Sequence, residues 1–232
     1  MSDLPVKELH QDMIQRQEGS WISLLDDTKT MSAEETKATV YFGYGSNLWK
    51  HQMQQRCPTS KFLGIARLNG YKWIINERGY ANVVQIESKE DGDEEGKKHD
   101  YGEEVWGLVY SLEKKDETNL DRNEGVPRAY TKEWMQVDYW KASTEPDDLA
   151  CQERKAKKVD MLVYINRKQI SEAEPKEEYI YRINMGIKDA VKEGMPEEYV
   201  RQVMRRFIPE DEDEVVEGVV EKEVLRFEDE SD

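Results

Sequence analysis

The stretch Thr39-Val40-Tyr41-Phe42-Gly43-Tyr44-Gly45-Ser46-Asn47-Leu48 decides how this chain is read. Its first four residues have the β-branched and aromatic content of a buried strand. That strand stops abruptly at Gly43-Tyr44-Gly45-Ser46-Asn47. Residues Leu48 to Arg56 then run without Gly or Pro, with Leu48, Gln52 and Met53 spaced as on a short helix. Ser46 or Asn47 is its expected N-cap. A strand, a glycine turn and a helix start bring unpaired N–H groups to a place where the backbone can approach an anion. The simpler alternative is that Gly43 and Gly45 only permit a tight turn.

Outward from this turn, short strand signals follow one another. Phe62 to Leu68 and Tyr71 to Asn76 flank Asn69-Gly70, which predicts a hairpin because both turn residues tolerate positive φ. Asn82 to Glu87 and Glu104 to Ser111 are expected to form a second strand pair, joined by a solvated acidic loop over Ser88 to Glu103. Lys115 to Leu120 predicts a helical turn, and Trp134 to Trp140 and Asp160 to Ile165 predict strands. The charged run Cys151 to Lys158 is expected to be an exposed connection. Later the period changes: Met185 to Glu193 predicts a helix closed by Gly194. Pro196 opens a second helix, with Tyr199, Val200, Val203, Met204 and Phe207 on one face as far as Pro209. The fold class expected is α+β, a strongly curved or barrel-like sheet with helices packed on one side.

Charge sorts the chain into parts. Among 232 residues, 34 Lys and Arg oppose 50 Asp and Glu, a net charge of −16. Residues 210–232 hold 12 acids against Lys222 and Arg226, so −10 of that charge lies in an acidic C-terminal tail. Residues 1–38 read as a partly disordered polar extension, which leaves 39–209 as the organised domain. An acidic surface repels phosphates, so nucleic acid is not expected as a partner, nor is an anionic membrane. No uncharged run approaches the roughly 18–20 apolar residues of a membrane span. The first residues lack the basic start and apolar run of a secretory signal, which gives the expectation of a cytoplasmic protein. Cys57 and Cys151 are too few for a disulfide framework, and with His10, His51 and His99 scattered no metal site is expected.

The glycine turn fails the familiar tests. Leu48 stands where a dinucleotide fingerprint needs its third glycine, and no Gly-Lys-Ser/Thr follows as in a nucleotide P-loop. Ser46 is not in a nucleophile elbow, and none of the three histidines is placed as its base, so it reads as a hydrogen-bonding residue. The second informative stretch is Leu120-Asp121-Arg122-Asn123-Glu124-Gly125-Val126. Glu124 is either an ordinary exposed loop acid or a general base at the mouth of a pocket.

At these two stretches the sequence resembles the γ-glutamylcyclotransferases. The resemblance rests on Val40 to Leu48, on Gly64-Ile65-Ala66-Arg67-Leu68 with Gly70-Tyr71, on Glu104-Val105-Trp106-Gly107-Leu108-Val109-Tyr110, and on Leu120-Asp121 through Glu124-Gly125-Val126. It continues through Tyr179 to Ile187 and Gly194-Met195-Pro196 to Tyr199, in the right order from about Thr39 to Pro209. It implies a small mixed β-barrel, no cofactor, and release of 5-oxoproline from a small-molecule γ-glutamyl amine. The substrate's own α-amino group attacks its γ-carbonyl, so the protein supplies no nucleophile. By the resemblance Glu124 is the general acid/base. Gly45, Ser46 and Asn47, with Gly43 and Leu48 in the same turn, hold the α-carboxylate. Tyr179 touches substrate or is an ordinary packing aromatic, and Tyr41 and Tyr44 line the pocket or belong to the core. Gly43 stands where the family often has alanine. The charged stretches 88–100 and 166–178 depart from the pattern, and Arg167 or Lys168 could favour a carboxylate-bearing amine or be plain loop charge. A cyclotransferase dedicated to a glutathione conjugate or γ-glutamyl-tagged metabolite is the first alternative, and a catalytically silent binding module of the same fold is the second. The oligomeric state is left open, with a homodimer as one option.

Overall fold

Five strands close on themselves in the order β1-β5-β2-β6-β7. In the computed structural model, which describes residues 38–87, 100–142 and 155–210, these are β1 (Thr39–Gly43), β2 (Lys61–Asn69), β5 (Glu104–Leu112), β6 (Thr131–Lys141) and β7 (Lys157–Ile165). Four of the neighbouring pairs run antiparallel, and the closing contact of β1 with β7, at Tyr41 opposite Leu162, is parallel. The barrel is therefore mixed, as expected. β5 sits between β1 and β2, and its apolar run from Val105 to Tyr110 is buried throughout. Closure removes the free strand edges that an open sheet of this size would expose.

Two expected pairings are corrected. β2 does not form a hairpin with β3 (Tyr71–Ile75), because both of its edges are occupied, by β5 and by β6. Gly70 instead turns the chain out of the barrel, donating to the Glu103 carbonyl at 2.9 Å and accepting from the Ile86 amide. β3 then pairs with β4 (Ala81–Gln85) in a separate two-stranded sheet, so β4 is the partner of β3 and not of β5. Its connecting turn is fixed by Asn76, whose amide donates to the Tyr80 carbonyl at 2.9 Å.

The helices are α1 (Lys50–Arg56), α2 (Lys114–Asn123), α3 (Glu177–Lys192) and α4 (Glu197–Gln202). α3 begins eight residues before the expected Met185 and packs on the one-turn 3-10 helix Ser46–Leu48. α4 is short and passes into a second 3-10 turn, Met204–Arg206, with Tyr199, Val203 and Met204 buried as the periodicity requires. α2 is anchored from both sides: Thr59 donates to Asp116 through its amide and hydroxyl, and Thr39 and Lys132 donate to Glu117.

Arg67, from the Gly64 to Leu68 motif, has a structural place. Its guanidinium donates to Glu104 at 3.2 Å and Asp138 at 3.0 Å and lies over the stacked rings of Trp106 and Trp140. Among the described residues no helix is long and apolar enough to cross a membrane. The expectations for the extension up to residue 37, the acidic stretch 88–99, Cys151 and the tail beyond Glu210 lie outside the described residues.

Candidate active site

β1 delivers Tyr41 and Tyr44 to one end of the barrel, and the chain then folds tightly back through Gly45. A side-chain carbon at Gly45 would lie 2.9 Å from the Tyr179 hydroxyl and 3.3 Å from Ala81, so only glycine lets this turn sit so close to the phenol. The Tyr179 oxygen accepts the Ser46 amide at 3.1 Å and the Ala81 amide at 3.3 Å. One side chain from the first turn of α3 thus joins the glycine turn to β4. Tyr179→Phe removes the acceptor from two buried N–H groups. It is expected to cost about 1–3 kcal/mol of stability in urea denaturation; an unchanged midpoint would show that the phenol does not hold the turn.

Ser46 and Asn47 do not cap a helix. α1 starts after Trp49 without any side-chain cap, and the two polar side chains turn inward. Gln52 Nε2 donates to Ser46 Oγ at 2.9 Å and to Asn47 Oδ1 at 3.0 Å, and Arg56 Nη1 donates to Asn47 Oδ1 at 3.2 Å. With its oxygen fixed by these donors, the Asn47 amide must present its Nδ2 hydrogens the other way. They go to Tyr41 Oη at 2.9 Å and Glu124 Oε1 at 2.9 Å.

Glu124 is not an exposed loop acid. It closes α2, its amide donating to the Leu120 carbonyl, and its residue is only 8 % exposed. Besides Asn47, the Arg56 guanidinium lies 4.0 Å from Oε1. These partners hold the carboxylate in one position inside a cavity of about 30 Å³ that Tyr41, Tyr44, Gly45, Ser46, Asn47 and Tyr179 also line. Seven of the nine candidate residues are therefore brought together. Gly43 and Leu48 lie behind the lining: Gly43 backs onto the Tyr41 ring, and Leu48 is fully buried against Gly186 of α3.

The rest of the wall comes from Tyr80, Ala81, Tyr130 and Tyr164. Sequence reasoning missed these four, together with Gln52 and Arg56 behind them. Six of the chain's twelve tyrosines face this one cavity, and that excess of phenols over histidines was the available signal. Their hydroxyls are tied down. Tyr44 donates to the Tyr164 carbonyl at 2.6 Å, Tyr164 to Asp121 Oδ1 at 2.7 Å, and Tyr130 to the Ala81 carbonyl at 2.9 Å. Burial, and next the charge of Glu124, push the Tyr41 phenol well above its ordinary pKa, while the bond from Asn47 pulls the other way. Tyr41 is a neutral phenol at any physiological pH.

The arrangement can move a proton but offers no nucleophile. Burial, with the nearby Asp116 charge, pushes the Cys57 thiol up to about 12, so its thiolate is negligible at neutral pH. Ser46 Oγ accepts from an amide, and His51, the one histidine among the described residues, packs its ring against Trp49. What remains is a single carboxylate in a phenol-lined chamber, positioned by the glycine turn.

Known proteins bear on this site. Residues 104–203, which include Glu124 and Tyr179, match the model of the AIG2-like family. Over about 180 residues the chain is 26 % identical to gamma-glutamylcyclotransferases of Mus musculus and Homo sapiens, covering 75 % and 74 % of this chain and 81 % and 80 % of theirs. Among solved structures, a gamma-glutamyl cyclotransferase superposes with a TM-score of 0.55 at 25 % identity, covering 80 % of this chain and 99 % of that one. YkqA of Bacillus subtilis shares the fold at 19 % identity, with a TM-score of 0.52, over 76 % of this chain and 57 % of its own. By sequence match, by fold and by the ordered motifs around its glycine turn, the chain is similar to the AIG2-like family and to the gamma-glutamylcyclotransferases.

Proposed function

We propose that the protein is a cofactor-independent γ-glutamylcyclotransferase, releasing 5-oxoproline and a free amine from a γ-glutamyl amide. The observation that carries this reading is the single buried carboxylate of Glu124, held by Asn47 within a chamber that lacks any nucleophile. A hydrolase or acyl-enzyme mechanism needs an activated serine, cysteine or water, whereas cyclisation uses the nucleophile the substrate brings.

In the proposed reaction the γ-glutamyl group enters the cavity with its α-carboxylate at the Gly45-Ser46-Asn47 turn. The Tyr179 hydroxyl accepts two N–H bonds there, which polarises its own O–H as a donor to an anion. Glu124 takes a proton from the α-ammonium. The freed amine attacks the γ-carbonyl, and a new C–N bond closes the five-membered ring. The tetrahedral oxyanion collapses and the old C–N bond breaks as Glu124 returns its proton to the departing nitrogen; the second proton on the ring nitrogen passes to the released amine, which leaves as an ammonium. No water is consumed. The chief contribution of the fold is positional: holding the chain folded so that its two ends meet replaces a rare solution encounter by a near-attack geometry.

The direct experiment is incubation of the purified protein with a γ-glutamyl amino acid and chromatographic detection of 5-oxoproline. Equimolar 5-oxoproline and free amino acid are expected. Absence of 5-oxoproline across a panel of γ-glutamyl amino acids would overturn the assignment.

A further inference from the structure

Tyr80 lines the small cavity and also a second, much larger cleft of about 580 Å³, within the range of roughly 300–1,000 Å³ typical of ligand sites. In a chain of net charge −16, this cleft is basic: Arg78, Arg128, Lys168 and Lys176 line it against the single carboxylate of Glu77. Two of the cations lie on the shared ring. Lys176 Nζ stands 4.9 Å from the Tyr80 centroid, and the Arg78 guanidinium lies 5.5 Å from Tyr80 and 5.8 Å from Tyr130. Such stacking keeps each charge at a defined place beside the ring that the two spaces share. Arg128 and Lys168 are exposed, and among the described residues neither side chain makes an ion pair.

The walls are built rather than incidental. Arg128 belongs to the turn that follows Glu124, with its amide donating to the Gly125 carbonyl at 2.8 Å, so one turn of chain carries the carboxylate of the small cavity and a cation of the cleft. Lys168 stands on a loop whose Asn166 amide donates to Asn82 Oδ1 at 3.0 Å and whose Asn166 Oδ1 accepts the Lys168 amide at 2.9 Å. Lys176 is tied through its amide to the Gly79 carbonyl at 3.1 Å. Arg167, the neighbour that the sequence offered beside Lys168, is committed elsewhere, to Glu133 at 2.7 Å.

We infer that this cleft receives the departing amine and selects γ-glutamyl amides whose amine half carries two or more carboxylates. The inference rests on the proposed cyclotransferase reading. The inner chamber is too small for a whole γ-glutamyl amide, and the cleft that shares Tyr80 with it is the space this inference gives to the amine half. A single α-carboxylate there meets the stacked pair, Arg78 and Lys176. The outer pair, Arg128 and Lys168, then has a second anion to serve. Converging cations in a cleft raise the local concentration of such a substrate even on an acidic protein.

The test compares γ-glutamyl-glutamate with γ-glutamyl-alaninamide, which has no carboxylate on its amine half, in the wild type and in an R128Q/K168Q double variant. The wild type should prefer γ-glutamyl-glutamate in kcat/KM. The double variant should lower the ratio between the two substrates by about three- to tenfold, as expected for two solvent-screened contacts. The wild-type preference should also shrink as salt rises. A ratio equal in the two proteins, or a wild-type preference for the neutral amide, overturns the inference. If the wild type turns over neither compound, the cyclotransferase reading fails, and calorimetric binding of γ-glutamyl-glutamate then decides the cleft. Weaker binding by the double variant supports it, while equal affinity in both proteins or no binding to the wild type overturns it.

Discussion

Glu124→Gln is expected to reduce the rate of 5-oxoproline release by about 10²- to 10⁴-fold, the usual contribution of a general acid–base group. The substitution is chosen for what it keeps. A glutamine side-chain oxygen still accepts from Asn47 Nδ2, the bond that now measures 2.9 Å, and the ion pair lost with Arg56 is a long one, at 4.0 Å, while Arg56 keeps its bond to Asn47. The melting temperature should therefore move by no more than about 2 °C, the effect of less than about 1 kcal/mol on a domain of this size. A fall in kcat at unchanged stability places the defect in the proton transfer. Full activity in the variant would remove Glu124 from the chemistry.

Gly64→Ala is expected to be the most damaging single change to the fold. At Gly64 the register of β2 against β5 shifts, with Phe62 opposite Tyr110 and Gly64 opposite Val109, and on its other edge Gly64 stands opposite Lys141 of β6. Its φ is +150°, and an added carbon would lie 2.2 Å from the Trp140 carbonyl oxygen and 2.7 Å from the Ala142 amide. Both obstacles are backbone, so no side chain can swing aside; the barrel strands themselves must separate. Strain and overpacking together should cost about 3–5 kcal/mol. At roughly 2–4 °C per kcal/mol, the melting temperature should fall by roughly 10 °C. A drop under about 2 °C would mean that β2 and β6 separate at little cost.

The two substitutions mark how far the sequence could be read. The turn from Gly43 to Asn47 was legible because its signal is local: a buried apolar strand, glycines, then a helix-forming run. Gly64, inside one of the ordered motifs, was legible as a motif but not as a bulge, because the reason for a glycine there is the backbone of β6, some 75 residues later. The hairpin expected at Asn69-Gly70 failed for a related reason. Turn chemistry says that the chain reverses, but not that both edges of β2 are already taken by strands from later in the chain. α3 starts at Glu177 and not at Met185 because its buried face includes Arg182 and Asn184, polar residues that hide the apolar period. Ser46 and Asn47 looked like helix caps because those residue types cap helices; Gln52, one turn later, claims both.

The candidate site shows the same division. Glu124 and the glycine turn were visible as short stretches, but their meeting depends on Asn47 reaching across 77 positions. The remaining tyrosines arrive from β7, from the turn before β4 and from the approach to β6, so no window of sequence contains them together. The basic cleft is more scattered still, with its four cations drawn from three loops in a chain whose overall charge points the other way.

The central claim is that the substrate's own amine, and not water, displaces the leaving group. Turnover of γ-glutamyl-alanine in H₂¹⁸O followed by mass spectrometry tests it directly. The expected products are alanine and 5-oxoproline of unchanged mass, because ring closure takes up no oxygen from solvent. Glutamate carrying one ¹⁸O atom would contradict the account, since it would require hydrolysis in a cavity assigned to cyclisation.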